Sequence, residues 1–151
     1  MSVWRGVTVL ALAIGALGVT APAASALPLG VPPARTLCGG DGAGIGMIAA
    51  FYDPDRNYSG VPTLWIHPEF VFAPDRPGGS CGVTVTVSWR NSDTGVFGTL
   101  PPIRLDDRTP AEENVAGSWI PVGIPAGLGR VEVLIATDSP HVPGKGVFVV
   151  T

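Results

Sequence analysis

Along residues 83–90, apolar and polar side chains take strict turns. Val83, Val85, Val87 and Trp89 alternate with Thr84, Thr86, Ser88 and Arg90. A period of two predicts a strand with one face in a core and the other in water. Asn91-Ser92-Asp93-Thr94-Gly95 supplies turn chemistry and residues 96–100 return, so residues 83–100 are expected to form a hairpin. Residues 47–52 are a continuous apolar run ended by Asp53-Pro54, which predicts a buried strand. Residues 63–72 read as a strand interrupted at Pro68, hence an edge or a kinked strand. Residues 115–122 give a weaker strand, residues 130–137 a strong one and residues 147–151 a last one. Pro101-Pro102 is expected to stop pairing, and residues 106–114 form a charged surface loop.

No stretch after the N-terminal region shows a capped apolar pattern of period 3.6. The chain carries 21 glycines and 16 prolines, which argues against long helices. About seven short strands with regular turn signals predict an all-β fold, an antiparallel β-sandwich.

The N-terminus changes the picture of where the chain works. Arg5 precedes an uncharged run at residues 7–19, and Ala24-Ser25-Ala26 follows with small residues where a signal peptidase cuts. This is the pattern of a secretory signal peptide, residues 1–26, too short to span a bilayer. Residues 27–37 contain three prolines and no periodicity, and are expected to be a flexible leader. Residues 38–151 then form the sandwich domain. No later apolar run is long enough to be a transmembrane segment.

The chain has 9 basic and 12 acidic side chains, a net charge of −3 that becomes −4 once Arg5 is removed. This acidity argues against nucleic acid or an anionic membrane surface as partner. Lys145 is the only lysine, beside abundant Ala, Gly, Val and Pro. Together with the signal peptide, this composition points to an exported protein of a high-GC Gram-positive, actinobacterial source. The two cysteines, Cys38 and Cys81, read as a disulfide in an exported chain. A lipid on Cys38 is the rival, but Leu37 stands where a lipobox needs a small residue.

In size and strand pattern, residues 38–151 resemble an immunoglobulin-like or fibronectin-type domain exported by Gram-positive bacteria. The resemblance implies a two-sheet sandwich. The cysteines depart from the antibody pattern, since Cys38 precedes the first expected strand and Cys81 stands at the mouth of the third. Such a fold carries no particular function by itself.

Several short strings match catalytic patterns. Gly78-Gly79-Ser80-Cys81-Gly82 fits G-x-S-x-G, but a nucleophile elbow needs a strand before it and a helix after it. Asp93-Thr94-Gly95 fits the aspartic-protease triplet, yet it lies in a hairpin turn. His67 and His141 lack a paired metal-ligand spacing. The chain is therefore expected not to be an enzyme, with a small secreted hydrolase as one alternative.

Asp53, Asp55 and Asn57 alternate as calcium ligands do. Tyr58 and Leu64 stand where an EF-hand needs glycine and glutamate, so that motif is excluded. The stretch reads as a turn in which Gly60 takes a positive φ. A looser calcium site between strands, completed by Asp41 or Glu69, is the alternative, and no other cofactor is expected. Trp89 belongs to the core, whereas Trp65 and Trp119 stand near prolines as possible ligand-binding aromatics. The expected function is a secreted, non-catalytic binding or structural module of the cell envelope or extracellular space, with a protein or envelope component as partner. A carbohydrate-binding module, calcium-assisted or not, is the second expectation.

Overall fold

The computed structural model describes residues 29–38, 44–58, 60–72, 80–107 and 119–151. The signal peptide expected at residues 1–26 lies outside them. The described chain is all-β, with ten strands in two antiparallel sheets and no helix.

The first sheet is a meander of β1 (Leu29–Cys38), β2 (Gly44–Tyr52) and β3 (Thr63–Phe72). The second is built on β4 (Gly82–Asn91). Its one side pairs with β5 (Phe97–Thr99) and β6 (Ile103–Asp106), and its other with β8 (Gly129–Thr137). Between β6 and β8 the chain returns to the first sheet as β7 (Ile120–Gly123), antiparallel to β3. The short β9 (His141–Val142) pairs with β1, and after Pro143 the chain joins β8 in the other sheet as β10 (Gly144–Val150). One side of the two sheets is thus tied together by a single stretch of chain.

The alternation read in the sequence holds in β4. Val83, Val85 and Val87 are fully buried and Trp89 nearly so. They meet Ile48, Leu64 and Ile66 of the first sheet in one core. The Cys38–Cys81 disulfide forms, with Cα atoms 5.2 Å apart, and fastens the end of β1 to the entry of β4. Gly44 has no room for a side chain, because a Cβ there would lie 2.8 Å from the Cys38 sulfur.

Two expectations need correction. Of the stretch expected as a flexible leader, residues 29–37 lie in β1, so Cys38 ends a strand instead of preceding one. Its inward residues Val31, Ala34, Thr36 and Cys38 are buried, and a register shift between Val31 and Ala34 takes up Pro32 and Pro33. Prolines are tolerated where a bulge removes the need for a ladder N–H. The other correction is the strand count. β1, β6 and β9 add to the seven expected, and Pro101-Pro102 interrupts pairing with β4 without ending it. The connectivity also differs from the immunoglobulin arrangement, in which the third strand crosses to the second sheet. Here the first three strands stay together.

Candidate interaction surface

The residues singled out in the sequence come first. Asp53 is buried and its oxygens are engaged locally. Oδ1 accepts from the Asp55 N–H at 3.0 Å, and Oδ2 lies 3.4 Å from Arg56 Nε. The Arg56 N–H donates to the Asp53 carbonyl, and Asn57 Nδ2 donates to the Pro54 carbonyl. Gly60 has φ of 74°. Asp53 and Asn57 therefore fix a tight turn through side chains that bond nearby backbone, with Asp55 taking part through its N–H. Of the two residues offered to complete a calcium site, Asp41 lies outside the described residues and Glu69 is on β3.

That turn also explains Trp65. Its indole N–H donates to the Arg56 carbonyl at 3.1 Å, and only 3% of the residue is exposed. A buried Trp commonly satisfies its N–H this way. Trp65 is thus unavailable as an open stacking platform, which corrects the expectation for it. Trp119 is half-buried. Its ring stands edge-on to Phe51, with centroids 4.6 Å apart, and 5.1 Å from the ring of His67.

The catalytic strings also resolve into structure. Ser80 is exposed, and the chain enters a strand after Cys81, not the helix that a nucleophile elbow needs. Asp93 accepts from the Arg130 N–H through Oδ2 and donates its own N–H to Asn91 Oδ1, fixing the hairpin turn. His67 on β3 and His141 on β9 are separated by β2 and β1. His67 borders a cleft of about 240 Å³ with Asp106 and Asp107. No Ser, Thr, Cys or Lys is among the described residues lining it. Among the described residues, no group of three or more His, Cys, Asp or Glu side chains is placed to hold a metal.

A feature the sequence reading missed lies on the outer face of the first sheet. On β2 the inward side chains are Ile48, Ala50 and Tyr52, all buried. The outward ones are Ile45, Met47, Ala49 and Phe51, every one of them apolar. The outward residues of β4, the central strand of the other sheet, are Thr84, Thr86, Ser88 and Arg90, every one polar. The two central strands thus differ in what they turn outward, although Leu134 of β8 and Val149 of β10 are also exposed on the second sheet. The register carries Ile45 beside Leu37 of β1 and Val71 of β3, and these three are 60%, 46% and 61% exposed. Val142 of β9, 66% exposed, adds to the same side. A shallow groove of about 350 Å³ runs beside them, between Leu37, Ile45, Pro140 and Val142.

The signal for this surface was present in the sequence. Residues 47–52 are apolar at both alternations, which means that both faces of the strand avoid water. A buried strand is the expectation such a run carries. The two-sheet architecture can cover only one of those faces.

At one end this face is closed by its own aromatics. Phe51 and Trp65 are in register and their rings stack with centroids 6.5 Å apart. At the other end, the aliphatic row is open.

No family of known proteins, no curated protein and no solved structure matches this chain.

Proposed function

We propose that the chain is an exported, non-catalytic binding module that engages a protein partner through the outer face of the first sheet. One observation carries this reading. The outward residues of β2 are apolar from end to end, and the aliphatic row Leu37, Ile45 and Val71 lies open to solvent beside a groove. Contiguous exposed apolar surface of this kind marks interaction sites, whereas singly scattered apolar residues do not.

The rest of the molecule supports it. The disulfide favours an oxidising compartment, as export would provide. The buried indole of Trp65 leaves no pair of exposed tryptophans among the described residues for a sugar ring, which ranks the carbohydrate-binding alternative below a protein partner. The hydrolase alternative has its place at the cleft beside His67, which Asp106 and Asp107 also line and whose described lining holds no Ser, Thr, Cys or Lys. The likeness to immunoglobulin-type domains belongs to this proposal at the level of a two-sheet, exported module.

The test is a photo-crosslinking side chain at position 45 and, as control, at position 86 in the polar outward row of β4. Protein adducts are expected from position 45 and none from position 86. Equal yields from both positions, or none from either, would remove the first sheet's outer face as the interaction surface.

A further inference from the structure

Outward side chains of the first sheet stand in rows across the strands. Leu37, Ile45 and Val71 form one row, and Arg35, Met47 and Glu69 form the next. Both rows are centred on β2. The second row has a cation on one side, an apolar centre and an anion on the other. Arg35 and Glu69 are exposed, and neither makes an ion pair among the described residues.

We propose that this face binds a second copy of the same chain, in a symmetric pair whose two-fold axis lies between the facing sheets and runs along β2. The inference rests on the reading of this face as a protein-binding surface and names its partner. The geometry follows from the rows. A half-turn about an axis parallel to β2 carries the β1 side of one copy over the β3 side of the other. Arg35 then faces Glu69 of the second copy, and Glu69 faces its Arg35. Ile45 meets Ile45, Met47 meets Met47, and Leu37 meets Val71. The Arg35–Glu69 and Leu37–Val71 contacts are each made twice, and the Ile45 and Met47 self-contacts lie on the axis, as symmetric pairing requires. Sheets that pack face to face run with their strands nearly aligned and about 10 Å apart, which is the arrangement this axis produces.

The pattern is specific to that axis. A half-turn about an axis lying across the strands would set Arg35 over Arg35 and Glu69 over Glu69, placing like charges together in both outer columns. Register and charge therefore select one orientation. Four outward rows and up to five strands give a footprint of roughly 20 by 20 Å. That is at the small end of specific interfaces, so the pair is expected to dissociate on dilution.

The test is sedimentation of the oxidised, mature chain across a dilution series. Wild type is expected to shift from dimer to monomer on dilution. Arg35→Glu, which makes two like-charge contacts, is expected to weaken association about tenfold. The double variant Arg35→Glu/Glu69→Arg is expected to restore it. Since both positions are exposed, the fold is expected to survive, and thermal unfolding checks this. A second measurement uses a short bis-maleimide. No free cysteine interferes among the described residues. Ile45→Cys is expected to cross-link to itself, and Leu37→Cys to Val71→Cys in preference to itself.

A wild type that stays monomeric throughout overturns the proposal. If the crosslinker at position 45 then still captures a protein of another mass, the binding-face reading stands and only the partner was wrong. If it captures nothing, both fall. A dimer indifferent to Arg35→Glu and to Ile45→Lys would use another face, and that also overturns the proposal.

Discussion

Thr36 and Thr137, 101 positions apart in sequence, hold their side-chain oxygens 2.8 Å apart in the core. Thr36 belongs to β1 and Thr137 ends β8, so the contact joins the two sheets. Thr36 Oγ1 also lies 3.0 Å from the Leu37 carbonyl, and Thr137 Oγ1 lies 3.2 Å from the Ser139 carbonyl. Two hydroxyl protons thus serve three contacts, so the pair shares what neither holds alone. Thr36→Val and Thr137→Val are each expected to cost about 1–2 kcal/mol, with the double variant costing less than their sum. Denaturant titration of the four proteins measures this. Strict additivity would show that the hydroxyls do not interact.

Asn91 is fully buried at the end of β4, and its side chain makes four hydrogen bonds. Nδ2 donates to the carbonyls of Ala126 and Leu128, both at 2.8 Å. Oδ1 accepts the N–H groups of Asp93 and Thr94. Asn91→Ala is expected to destabilise by about 3 kcal/mol or more, because it orphans several backbone groups at once. Chemical denaturation checks it. A loss below about 1 kcal/mol would mean that the turn and the loop before β8 hold without their tie.

Reducing the Cys38–Cys81 bridge releases a loop of 43 positions. Loop-closure entropy puts the cost at about 4 kcal/mol. Unreduced, denatured protein is expected to resist alkylation at both cysteines, and the reduced form to melt lower. Alkylation of either cysteine before reduction would contradict the bridge.

The Asp53 turn is complete through its own hydrogen bonds, so its midpoint of unfolding is expected to be the same in EDTA and in calcium. A site with a Kd of about 10 μM would raise the midpoint on the order of 10 °C at about 1 mM calcium. A rise of that size would make the turn an ion site after all.

Asp138 carries an acid-side effect. The Thr84 N–H donates to its Oδ1 at 2.8 Å, and this bond, more than nearby Arg104, lowers its pKa from the ordinary 3.8. A carboxylate with a lowered folded pKa stabilises above its unfolded pKa, and that stability is lost as pH falls through the folded value. Asp138→Asn is expected to be less stable than wild type at neutral pH, by a modest amount because the group is exposed. The difference is expected to shrink below about pH 4. A gap that stayed constant down to acid pH would mean that the charge of Asp138 plays no part.

The sequence by itself determined the all-β character, the inward face of β4, the hairpin into β5 and the pairing of the cysteines. These rest on local alternation, turn chemistry and cysteine number, which short-range sterics and burial translate directly into structure. The positive φ of Gly60 was legible for the same reason. Tertiary structure alone decided that residues 29–38 pair as a strand, since the fit of Pro32 and Pro33 depends on a bulge opposite β2. It also decided that Trp65 is buried, because the carbonyl its indole needs is supplied by a turn nine residues away. Above all, it decided which half of the apolar run in β2 faces the core. Period two divides a strand into two faces but does not say what lies against each. Only the second sheet, built from residues far along the chain, covers Ile48 and Ala50 and leaves Ile45 open.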